Sequence, residues 1–99
     1  MNSKPITVVA TFQAKTGKAE ELKKALLSLV APTRKEAGCV LYELHQLPDA
    51  PDKFLFYETW TSKTHLEAHL QSPHIQALFP RLGDLSMGLP EIQIWEKVS

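Results

Sequence analysis

Scarcity defines this sequence more than abundance. Its 99 residues hold one cysteine, Cys39, and four glycines. A single thiol excludes an internal disulfide framework and any paired-cysteine metal site. Next to Gly38 in an apolar run, Cys39 reads as a small buried hydrophobe, not a nucleophile. Net charge is missing too, since 11 Lys and Arg balance 11 Asp and Glu. No global field therefore draws the chain to nucleic acid or to an anionic membrane. No run of roughly 18 apolar residues occurs, and the first residues lack the layout of a secretory leader. The expectation is one cytoplasmic domain over residues 1–99, with an adequate but not generous core. There is no GxGxxG, no phosphate-cradling loop and no GxSxG elbow. The exposed aromatic strand motif of RNA-binding modules is absent as well.

What is present is a clear alternation of periods. Ile6, Val8, Ala10 and Phe12 share one face of a strand over residues 5 to 13. After Thr16 and Gly17 the period becomes helical, with Leu22, Ala25, Leu26, Leu29 and Val30 on one stripe. Acids early and bases late suit the dipole of that helix. Pro32 should bend it, and Gly38 should end it in a left-handed conformation. A second strand is expected over residues 39 to 47, then a proline-stiffened turn over residues 48 to 52.

The third strand, residues 53 to 61, sets Phe54, Phe56, Glu58 and Trp60 on one face. Leu55, Tyr57 and Thr59 take the other face, so both should be covered. Ser62 fits the N-cap of a short helix ending near Gln71, and Ser72-Pro73 opens another by the same logic. Ile75, Leu78, Phe79 and Leu82 form its inner stripe, with a distortion expected at Pro80. Residues 83 to 90 read as a loop and residues 91 to 98 as the last strand.

The order β-α-β-β-α-α-β, with right-handed crossovers, predicts an α+β, ferredoxin-like fold. Four antiparallel strands would carry helices on one face. The other face would expose Val9, Leu55, Tyr57 and Trp95, and a second copy of the chain is the simplest cover for it. A homodimer joined through its sheets is therefore expected.

The candidate chemistry lies where the third strand meets the next helix. His69 is the first choice for a general base or a substrate hydrogen bond, because imidazole titrates near neutrality. Glu58 alternates with Phe56 and Trp60 on an inward face, so it needs a partner. A base such as Arg34 or Arg81 is the expected one, with His69 or a substrate hydroxyl as the alternatives. Trp60 and Phe56 are candidate aromatic walls, and Tyr42 is a candidate hydroxyl donor. His65 and His69 stand at metal-binding spacing but lack a third ligand, so no metal is expected. His65 and His74 are expected at the surface, and His45 carries no independent signal.

Three segments together resemble the antibiotic biosynthesis monooxygenase (ABM) family of dimeric α+β barrels. They are Gly38-Cys39-Val40-Leu41-Tyr42-Glu43, Tyr57-Glu58-Thr59-Trp60 and His69-Leu70-Gln71-Ser72-Pro73-His74. The resemblance implies a pocket between sheet and helices, reached by Trp60 and Glu58 from the third strand, His69 from the helix and Tyr42 from the second strand. It implies a quinol monooxygenase-like reaction, the oxidation of a hydroquinone or polycyclic phenol by molecular oxygen without cofactor. The same architecture hosts other chemistry. An isomerase of a small polar ketone, a haem-degrading enzyme and a non-catalytic dimeric ligand-binding protein are the competing readings. Haem cleavage is disfavoured by Ala10 and its neighbours, where related barrels use an Asn in the first strand.

Overall fold

The computed structural model describes residues 4–99. Four strands form one antiparallel sheet: β1 (Ile6–Gln13), β2 (Cys39–Gln46), β3 (Lys53–Trp60) and β4 (Glu91–Trp95). Their order across the sheet is β2-β3-β1-β4. Four helices complete the chain: α1 (Ala19–Leu27), α2 (Val30–Arg34), α3 (Lys63–Leu70) and α4 (Pro73–Leu85). This is the ferredoxin-like arrangement that the element order predicts. No helix among the described residues is long and apolar enough to cross a membrane.

Register explains the layering. Val8 pairs with Glu58, Ala10 with Phe56 and Phe12 with Phe54, so the two central strands point these side chains the same way. Tyr42 lies opposite Glu58 on the other side of β3. Side chains of one sheet face thus stack across three strands, and α1, α3 and α4 supply Leu22, Leu26, Leu66, Leu78 and Leu82 to the same core. Phe54 and Phe56 are 2% and 1% exposed; full burial of such a ring stabilises by roughly 2 kcal/mol.

The long helix expected after Gly17 is broken into two. Leu29 N–H turns to the Leu26 carbonyl at 3.1 Å, a tighter closure than an α-turn. Pro32 then falls in the first turn of α2, where its missing N–H leaves no α-helical bond unmade. Gly38 does take the left-handed conformation, with φ +82°. A Cβ there would meet the His65 side chain at 2.3 Å, so this glycine answers both a backbone and a packing demand.

Two boundaries differ from expectation. Helix α4 continues through Pro80 and Gly83 to Leu85, shortening the following loop. Its buried residues Leu78, Leu82 and Leu85 continue one stripe past both residues, so tertiary packing overrides local propensity. Strand β4 ends at Trp95, where its pairing with β1 ends at Thr7. The N-caps also divide. Ser62 accepts the His65 backbone N–H at 3.3 Å, whereas Ser72 makes no side-chain cap bond.

The outer sheet face is uncovered in the single chain. Tyr57 is 40% and Trp95 55% exposed, and Val9 and Leu55 flank them half-buried. On the helix side, Ile92 and Ile94 are also exposed.

Candidate active site

Burial of Glu58 between Phe56 and Trp60 follows from the alternation of β3. Its partner is neither arginine. Trp60 Nε1–H donates to Glu58 Oε1 at 2.8 Å, a bond between two same-face side chains two residues apart. Arg34 instead donates from Nε and Nη2 to the Tyr42 backbone carbonyl, at 3.1 and 3.0 Å. Arg81 is exposed on α4. Burial, with Glu36 adding a smaller repulsion, overcomes the indole bond and pushes the Glu58 carboxyl up to about 7.

His69 occupies the last turn of α3 and is 2% exposed. Its ring lies 4.7 Å from the Trp60 ring, tilted by 36°, and meets the edge of Tyr42 at 5.5 Å. Nδ1 lies 2.8 Å from Glu36 Oε2. The same oxygen lies 2.7 Å from His74 Nε2. Glu36 is the residue that sequence reasoning missed. It also corrects His74, which is not at the surface but partly buried against Glu36.

A carboxylate oxygen only accepts, so its contact with Nδ1 assigns the proton of a neutral His69 to that nitrogen. Nε2 then carries the free lone pair and has no hydrogen-bond partner among the described residues. Burial lowers the His69 pKa below the ordinary imidazole value, and the Glu36 bond opposes that only in part. The ring is neutral at pH 7 and able to accept a proton.

A cavity of about 40 Å³ lies between the sheet and α3 and α4. Glu58, His69, Tyr42 and Phe56 all line it. Tyr42 stacks on Phe56 with ring centroids 4.5 Å apart, making one aromatic wall. Burial, then the Glu58 charge, pushes the Tyr42 phenol upward, so it remains a neutral hydroxyl at any physiological pH. Trp60 does not belong to the lining. It is fully buried behind His69 and Glu58 and supports both.

Leu70, Phe79, Pro90 and Ile92 close the far side of the cavity. Leu70 and Phe79 are half-buried and Ile92 is 42% exposed. At about 40 Å³ the cavity is smaller than the roughly 150 Å³ void that accepts benzene elsewhere, so an aromatic guest needs lining side chains to move aside.

His65 stays outside the cluster: Nδ1 lies 3.0 Å from Ser62 Oγ and 3.1 Å from Thr61 Oγ1. His45 is exposed on β2, 3.3 Å from Glu43. Cys39 packs partly buried against the core, its thiol pKa raised by burial and by Glu36 and Glu58, which makes it a poor nucleophile.

A buried acid and a neutral imidazole thus line one largely apolar cavity on a ferredoxin-like sheet. The chain belongs to the antibiotic biosynthesis monooxygenase family, whose profile matches residues 5–81. It is 33% identical over 84 residues to the probable quinol monooxygenase YgiN of Escherichia coli, covering 73% of this chain and 79% of that one. The structure of PA3566 from Pseudomonas aeruginosa superposes with a TM-score of 0.92 at 34% identity, covering 98% of this chain and 97% of that one. Rv0793 from Mycobacterium tuberculosis follows at 0.90 and 25% identity, with 97% of each chain covered. The chain spans 63% of the length of sll1783 from Synechocystis, to which it is 29% identical over 92 residues.

Proposed function

We propose that this protein is a cofactor-independent monooxygenase that oxidises a hydroquinone or polycyclic phenol with molecular oxygen. The observation that carries this reading is the joint presence of His69 and Glu58 on one apolar cavity, with Nδ1 of His69 already engaged by Glu36. The name of YgiN supports the quinol class.

The reaction asks little of a protein beyond these groups. Nε2 of His69 takes the phenolic proton, and the resulting anion is electron-rich enough to pass one electron to oxygen. The radical pair combines to form a carbon–oxygen bond. Cleavage of the oxygen–oxygen bond then leaves one atom on the ring and releases the other as water. Hydroquinone plus oxygen gives hydroxyquinone plus water, so the substrate supplies all four electrons that oxygen takes up. Glu58 keeps its proton up to about pH 7 and donates it to the departing oxygen. Tyr42 and Phe56 hold the ring by stacking and area burial, with the Tyr42 hydroxyl available to a substrate oxygen. Trp60 is a positioning residue.

The test is oxygen uptake by chelator-treated protein over a panel of hydroquinones and anthrone-like phenols. Uptake above the autoxidation blank, abolished in His69→Ala, supports the proposal. No uptake with any member contradicts it. A non-catalytic dimeric ligand-binding protein is the second reading, and the small volume of the cavity favours it. Saturable binding of the same panel without oxygen uptake would establish that reading. A phosphorylated ketone finds no Lys or Arg in the cavity lining, which disfavours an isomerase.

The exposed Tyr57 and Trp95, with Val9 and Leu55 beside them, support a homodimer through the outer sheet face. Sedimentation of wild type as a dimer, and of Tyr57→Glu as a monomer, would bear this out. A monomeric wild type at tens of micromolar would refute it.

A further inference from the structure

The polar cluster around Glu36 serves the proposed oxygenase chemistry only in part. Glu36 follows α2, His69 ends α3 and His74 opens α4. Three separate segments thus bring one carboxylate oxygen and two imidazole nitrogens within 4.8 Å of one another. The Glu36 and His74 side chains are 17% and 20% exposed, so the cluster can be reached from solvent on one side. His69, at 3%, forms its inner wall.

We infer that Glu36 Oε2, His69 Nδ1 and His74 Nε2 form a binding site for a divalent transition-metal cation, and that its occupancy switches the His69 base off. Two imidazoles and one carboxylate suit Zn²⁺, Co²⁺, Ni²⁺ or Cu²⁺, with water completing the shell. Mg²⁺ and Ca²⁺ prefer all-oxygen sets and are poor fits. The nitrogens now sit 2.8 and 2.7 Å from the shared oxygen. Ligands about 2.1 Å from a tetrahedral ion stand roughly 3.4 Å apart, so Glu36 withdraws by about half an ångström while the two nitrogens, now within 4.8 Å of each other, settle at the same spacing. A partly exposed side chain on a connecting segment can do this without moving the sheet.

The consequence follows from the imidazole tautomers. A metal on Nδ1 needs the lone pair there, so the ring proton moves to Nε2. In the metal-free protein Nε2 is the basic nitrogen, and with metal bound it becomes an N–H donor. No atom is lost or gained in the protein; His74 moves its own proton to Nδ1 in the same way. The switching half rests on the oxygenase reading of His69, whereas the metal site itself does not.

The experiment titrates untagged, chelator-treated protein with Co²⁺ and follows visible absorption, then measures oxygen uptake on the same samples. A saturable visible band at one ion per chain is expected. His74→Ala and Glu36→Gln should weaken it by more than about tenfold, the scale on which even outer-shell partners act. His45→Ala, at the exposed pair with Glu43, should leave it unchanged, and circular dichroism checks that each variant is folded. Absence of a saturable band below millimolar Co²⁺ overturns the site, as does a band indifferent to His74→Ala and Glu36→Gln in folded variants. Oxygen uptake that is present in metal-free protein and unchanged on Co²⁺ saturation overturns the switch. A metal-free protein with no uptake sinks the oxygenase reading and with it the switch, while the visible band still decides the site.

Discussion

Trp60 donates its indole N–H to Glu58 across 2.8 Å within a single strand, and both side chains are buried. The bond does two things at once. It satisfies the only polar atom of the indole, and it opposes the rise in the Glu58 pKa caused by burial. Glu58 consequently rests near neutrality, where it can hold or release a proton.

Removing the indole donor should therefore move the acid. Trp60→Phe keeps an aromatic ring but loses the N–H, so the Glu58 pKa should rise further above about 7. Carboxyl-carbon NMR titration of labelled protein would read this directly. The lost hydrogen bond should also cost about 2 kcal/mol of stability. An unchanged or lowered Glu58 pKa would show that the indole does not stabilise the carboxylate.

Stability should carry the same signature with a definite sign. The folded Glu58 pKa lies above its ordinary value of 4.5, so the unfolded chain loses that proton first as pH rises. Burial of Glu58 thus reduces stability progressively between about pH 4.5 and 7, by up to a few kcal/mol above that window. Glu58→Gln retains an acceptor for Trp60 and should be more stable than wild type at pH 8. The advantage should vanish near pH 4. Urea unfolding at the two pH values checks it.

The rate should depend on pH through both cavity groups. His69 must be neutral, and burial holds its pKa below the usual imidazole value, so the acid limb should lie on the acid side of an ordinary imidazole titration. Glu58 must be protonated, so the alkaline limb should fall near pH 7. Glu36→Gln gives up the carboxylate that fixes His69, and should lower kcat more than it changes KM. A shared loss in KM would indicate a binding role instead.

Much of the fold was legible because periodicity and punctuation agree along the chain. Alternation in β1 and β3, the helical stripe from Leu22 to Leu29, and Gly38 with its φ of +82° each have a local signature. The start of helix α4 at Ser72-Pro73 did too, but its end did not, because Leu82 and Leu85 hold it past Pro80 and Gly83 through burial in the core. At the site, Glu58 and His69 were visible as polar residues on apolar faces. Glu36 was not, since it follows Arg34 and Lys35 and reads as the solvated end of a helix. Only the turn at Gly38 hints that this stretch folds back toward α3. The Trp60 bond was readable in principle, because alternate residues of a strand share a face. A buried acid more commonly takes a cationic partner than an indole, which makes this pairing the less expected one.

Gly38 offers a check on the scaffold alone. Gly38→Ala places a methyl group 2.3 Å from the His65 ring carbon and demands a left-handed alanine. A loss of about 2 kcal/mol or more is expected in thermal or urea unfolding. Gly17→Ala, with equal φ sign but no neighbour within 4 Å, should cost less. Equal losses would mean that the packing against His65 contributes nothing.

The most direct trial of the account is turnover of a hydroquinone under isotopically heavy oxygen gas, using chelator-treated wild type and His69→Ala, with product analysed by mass spectrometry. The account predicts one heavy oxygen atom per product molecule from wild type, and a rate about a hundredfold or more lower in the variant. Product without the label, or an equal rate of labelled product from both proteins, would contradict it.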